Sequence, residues 1–188
     1  MKKNSRLAMG LAALLLIPLY FMPFWSIKMS APQYPGGIGM YISIDDVTGH
    51  NKHDLKSINT LNHYIGMAEI NKEDFKEFEV MPYVFLVMIF LGLLAAFTGS
   101  YRLTFTWLIL MVLIGIIGFI DFYMWGYDYG HNLSPDAPIK VPGMSYQPPL
   151  FGCKQLLNIN ACSIPHTGSI FLGLSLILAS VVLWKEKK

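Results

Sequence analysis

The sequence predicts an all-α membrane protein, with four transmembrane helices and two long extracytoplasmic loops, the first holding a short hairpin and a short helix. Three observations predict it. Of 188 residues, 54% are apolar and only 14% charged, where soluble domains carry about 25% charged residues. The apolar residues gather in four blocks, each near the ~20 helical residues that cross a ~30 Å hydrocarbon core. The basic residues are also lopsided. Lys2, Lys3, Arg6, Arg102, Lys185, Lys187 and Lys188 make up half of the 14 and fall in the very short segments flanking the blocks. Positive-inside bias then puts both termini in the cytoplasm.

The chain is expected to form a single membrane domain over 1–188. Its spans fall at about 7–25, 81–100, 103–122 and 168–184, and its outer loops at 26–80 and 123–167. Lys2, Lys3 and Arg6 would suit a signal peptide. However, the run 7–25 is longer than the ~7–15 residues of such a core, and it ends in bulky Phe21-Met22-Pro23-Phe24-Trp25 instead of a small-x-small cleavage site. It therefore reads as an uncleaved anchor, kinked by Pro18 and Pro23. No Lys or Arg lies inside a block, and Asp121 stands at the end of its own, which argues against an ion path through the bundle. Gly92, Gly115, Gly118 and Gly173 suit close helix approach, and Met88 and Met111 read as packing residues.

In loop one, "MYISI" follows the turn "YPGG" and alternates like a strand. His50 and His53 lie in the polar segment after it and read as surface histidines. "SINTLNHYIGM" reads as a helix with Ser57 or Asn59 as N-cap. On such a helix His63 and Met67 would share one face at i, i+4. Loop two is rich in proline (Pro135, Pro138, Pro142, Pro148, Pro149) and is expected to be extended and irregular. Cys153 and Cys162, the only two cysteines, close a short loop. On the outer, oxidising side they are expected to form a disulfide, adding roughly 2–3 kcal/mol; the alternative is a thiolate pair acting as metal ligand or redox dithiol.

The segments "APQYP", "LNHYIGM" and "EFEVMPY", in that order and leading into a span, resemble a family of small membrane proteins associated with nitrous oxide reductase maturation. The resemblance covers loop one and the start of the second span. It implies a copper-handling accessory protein of the bacterial inner membrane, with cytoplasmic termini and periplasmic loops, working with a periplasmic or membrane protein partner. Copper(I) favours thioether and thiolate, and imidazole suits either copper state. His63 and Met67 are the expected primary ligands, with His131 and Met144, then Met124 and His166, supplied by loop two.

Other classes fit less well. All five histidines lie outside the blocks, against bis-histidine haem between spans. Midplane polar sites of a transporter are missing, and Ser163 with His166 forms no recognisable hydrolase set. No enzyme activity and no nucleic-acid partner is expected. The runner-up is a structural or assembly subunit that binds the bilayer and a protein partner but no metal of its own.

Overall fold

The computed structural model describes residues 1–187. It corrects the fold class. The protein is not all-α: the two long segments between the apolar helices build a five-stranded antiparallel sheet in the order β3-β2-β1-β5-β4. The strands are β1 (Trp25–Ala31), β2 (Tyr34–Ile42), β3 (Val47–Gly49), β4 (Gly152–Leu156) and β5 (Ile159–Pro165).

The four-span expectation is corrected too. Among the described residues, three helices are long and apolar enough to cross a membrane: α3 (Glu77–Thr98), α4 (Tyr101–His131) and α5 (Thr167–Glu186). The first block is not one continuous helix. Its α1 covers Lys3–Leu14, 12 residues or about 18 Å. A 3-10 turn, Ile17–Tyr20, follows with Pro18 near its start. Proline lacks the N–H that an α-helical turn needs there, and the chain then enters β1 at Trp25. The helix α1 packs between α3 and α5. Met9, Ala12, Ala13, Leu16 and Leu19 are buried in that packing, and Ser175 Oγ donates to Ala12 O at 2.6 Å.

Gly92 is where α1 crosses α3, since a Cβ there would stand 2.7 Å from Ala13 Cβ. Gly115, Gly118 and Gly173 meet nothing within 4 Å, so of the four glycines only Gly92 serves close approach. Trp107 of α4 donates its indole N–H to Met88 O at 2.7 Å, which closes the bundle core. At one end of the bundle the Met1 amino group donates to Gly99 O at 2.7 Å, and Ser5 Oγ and the Lys2 N–H donate to Glu186. The sheet lies at the other end.

The helix α4 runs 31 residues, about 46 Å, and continues to His131, about two and a half turns past the expected span. Its extension is held by aromatic packing. Trp125 lies 4.8 Å from Tyr129 and 5.7 Å from Phe122 between ring centroids, and Phe75 lies 5.7 Å from Trp125. Tyr129 Oη donates to Glu69 O at 2.8 Å. Together with Ile27, Ile38, Met40, Val47, Ile58 and Ile70 these rings form the core under the sheet.

The sheet closes across a long stretch of chain, because β1 pairs with β2 on one side and β5 on the other. Alternation separates its faces. Trp25, Ile27, Met40, Ala161 and Ser163 face the core, and buried Trp25 Nε1 donates to Ser163 Oγ at 2.7 Å. Ser26, Lys28, Gly39, Tyr41, Cys162 and Cys153 form the opposite face. The expected irregularity of loop two holds only between Asn132 and Phe151.

Candidate functional site

The helix α2 (Asp54–Ile65) carries His63. The stretch "LNHYIGM" is its C-terminal cap. Gly66 takes a left-handed conformation (φ 80°), Met67 N donates to Asn62 O at 2.9 Å, and Gly66 N donates to His63 O at 3.4 Å. That is the Schellman arrangement, which turns the residue after the glycine off the helix axis and onto the protein. Met67 accordingly packs against the core under the sheet. His63 stays exposed on the helix, its ring 6.0 Å from Tyr64. The helix ends at Gly66, so Met67 stands beyond the helical face that carries His63.

Loop two does close over this end of α2, through its backbone. Ser134 N donates to Gly66 O at 2.8 Å and Ile139 N to Tyr64 O at 2.9 Å. A side chain on Gly66 would meet Ala137 Cβ at 2.9 Å. The expected loop-two ligands sit on different elements. His131 ends α4, stacked 4.0 Å from Tyr127 with Nδ1 2.9 Å from Tyr127 O. Met124 is exposed on α4. Met144 sits half-buried in a turn, its N–H donating to Val141 O at 3.1 Å. Among the described residues no three His, Cys, Asp or Glu side chains gather as an ion site.

His166, the N-cap of α5, has a different neighbour. Its ring lies 4.8 Å from Tyr41, and Tyr41 lies 4.1 Å from His50. This cluster was not foreseen as a unit. His50 is half-buried, not a solvated surface histidine, whereas His53 is exposed. The imidazole of His50 lies over Gly39, where a Cβ would come within 2.5 Å of the ring, and its Nε2 is 3.0 Å from Ser26 Oγ. Burial lowers its pKa below the ordinary histidine value, against an opposing pull from Asp54 and the Met40 backbone. The sequence signal was small: glycine and tyrosine two apart on one strand face, with a histidine after the next turn.

The cluster resembles a nucleophile–base pair but lacks a third member. Buried Asp54 spends Oδ2 on Gly39 N at 3.1 Å and on Asn51 N and Nδ2, each at 3.2 Å. It tethers the β3–α2 turn to the sheet and makes no hydrogen bond to the imidazole. Ser26 is only 5% exposed. What the geometry does well is lock α2, β2 and the start of α5 together.

Cys153 and Cys162 are joined by a disulfide. They are directly paired across β4 and β5, and Cys153 is exposed. Beyond them, the two-residue turn of this hairpin holds Leu157 at φ 53°, a left-handed conformation that bulky residues rarely adopt. Leu157 is 44% exposed, and Gln155 Nε2 braces it by donating to Leu157 O at 2.8 Å. The neighbouring tip, Pro32–Gln33, stands beside it, because Ser30 pairs with Asn160. Compared with protein-family models, curated proteins and solved structures, the chain matches none.

Proposed function

We propose that the chain is a non-catalytic accessory protein of the bacterial cytoplasmic membrane, with both termini cytoplasmic and the sheet on the periplasmic side. It would serve the assembly of a periplasmic copper enzyme such as nitrous oxide reductase by holding a partner protein. The observation that carries this reading is the crest made by the two hairpin tips. It lies at the end of the sheet away from the helices, where Leu157 is exposed and held in a strained backbone. Residues 29–44 and 155–165 carry no Lys, Arg, Asp or Glu. Protein interfaces are depleted in charge at their centres, and backbone strain persists where surrounding structure over-determines it, most often at functional positions. The choice of copper enzyme comes from the likeness of "APQYP", "LNHYIGM" and "EFEVMPY" to the maturation-associated family.

The test is genetic and biochemical. Deleting the chain should lower nitrous oxide reductase activity per unit of enzyme protein. Wild type should restore it, and Leu157→Asp, which puts a charge on the crest, should not. Full restoration by Leu157→Asp at equal abundance would overturn the docking crest. Undiminished activity in the deletion strain would overturn the role.

A further inference from the structure

We propose that Cys153–Cys162 is a thiol–disulfide exchange site for a partner protein carrying a dithiol, and not only a staple. The placement argues for it. The bond joins adjacent strands already held by five register pairs from Gly152↔Ser163 to Leu156↔Ile159 and by a two-residue turn, so the hairpin has its closure without it. It lies on the solvent face, not in the core. Cys153 is exposed on the outermost strand, and Cys162 is half-buried one strand inward. Exposed disulfides are the labile ones.

The electrostatics point the same way. Lys28 on β1 is the register partner of Cys162 and shares its face, with its side chain running towards β2, where an added Cβ on Gly37 would stand 3.3 Å from Lys28 Cε. No Asp or Glu precedes Asp45, and none lies between Asp136 and Glu186, so β1, β2, β4 and β5 are free of carboxylates. A scarcity of carboxylates favours thiolate, and Asp54, held at Gly39 N on β2, is occupied there by Gly39 and Asn51. The difference between the two sulfurs also sets a polarity, with Cys153 open to attack and Cys162 half-buried one strand inward.

The step balances with a dithiol as reductant. A thiolate of the partner attacks Cys153 Sγ. The Cys153–Cys162 bond breaks, and Cys162 leaves as a thiolate. The partner's second thiol then attacks its own sulfur in the mixed disulfide and expels Cys153. The partner ends as a disulfide and this pair as two thiols, with two electrons transferred. The reverse sequence oxidises the pair. The site stands or falls separately from the docking crest, because its readout is the redox state of the isolated protein.

The experiment uses the full chain in detergent, without denaturant. Reduced thioredoxin serves as the dithiol probe and glutathione as the monothiol control, with free thiols alkylated and counted by mass. The expected result is reduction by thioredoxin at least about tenfold faster than by glutathione at equal thiol, with the circular dichroism spectrum kept. A thioredoxin whose resolving cysteine is changed to serine should be trapped on Cys153. A bond that stays closed to thioredoxin until denaturant is added overturns the site. Reduction by glutathione as fast as by thioredoxin overturns the partner class. Trapping on Cys162 overturns the polarity.

Discussion

Asp54 shows how a single side chain can organise a non-repetitive part of the fold. Its carboxylate is buried and accepts from Gly39 N, Asn51 N and Asn51 Nδ2. Asp54→Ala leaves those donors without a partner, and a stranded buried group costs about 1–3 kcal/mol. The variant should unfold at lower temperature in detergent while its helix content stays near that of wild type. His50 contributes a pH dependence. Its folded pKa is lowered by burial, while the unfolded value stays near ~6.5. The unfolded chain therefore binds this proton more readily, so the stabilisation present above pH ~6.5 is lost as pH falls through the folded pKa. His50→Gln should flatten that acid limb in a plot of Tm against pH. His63 and Met67 offer a contrasting test. Because Met67 is packed under the sheet and His63 faces solvent, copper(I) affinity measured against a competing chelator should agree within about twofold between wild type and His63→Ala. A tenfold loss in that variant would restore a ligand role for the histidine.

Glycines mark which element contacts are tight. At Gly130 an added Cβ would run into the Gln147 backbone, where Tyr146 N donates to Gly130 O at 2.9 Å. Backbone cannot yield as a flexible side chain can, so Gly130→Ala should push the 145–149 segment off α4 and destabilise by about 1–3 kcal/mol, as overpacking does. Gly115→Ala and Gly118→Ala meet open space and should be neutral or stabilising, because alanine holds a helix better than glycine by roughly 1 kcal/mol. Thermal unfolding of the three variants side by side checks the contrast. These elements also show what was legible locally. The apolar content of α3, α4 and α5 and the alternation of "MYISI" can be read from a few neighbouring residues. The cap at Gly66 could have been read as well, because glycine after a helical run is a stop signal. The i, i+4 pairing of His63 with Met67 runs through that stop.

At the scale of the whole molecule the sheet was illegible for a physical reason. The pairing of β1 with β5 joins Trp25 to Pro165, and nothing within a local window of either strand encodes it. The prolines of loop two signal irregular chain as far as Pro149, just before the hairpin, and Pro165 comes only at the end of β5. The site was legible in its residue types and not in its grouping: His166 meets Tyr41 and His50 only because the sheet brings the start of α5 beside β2. One global constraint is common to sequence and structure, and it gives the last expectation. The Met1 amino group reaches Gly99 O, and Glu186 accepts from Ser5 and Lys2, so the two chain ends and the α3–α4 turn share one end of the bundle. The sheet takes the opposite end. Whichever way the protein is oriented, Arg102 and Ser134 must then label from opposite sides of a membrane that the helices cross. The basic cluster at the chain ends and Arg102 favours the cytoplasm for that end. A membrane-impermeant maleimide applied to spheroplasts should label Ser134→Cys at once and Arg102→Cys only after lysis. Labelling of Arg102→Cys alone would invert the orientation, and immediate labelling of both would mean that no membrane separates them.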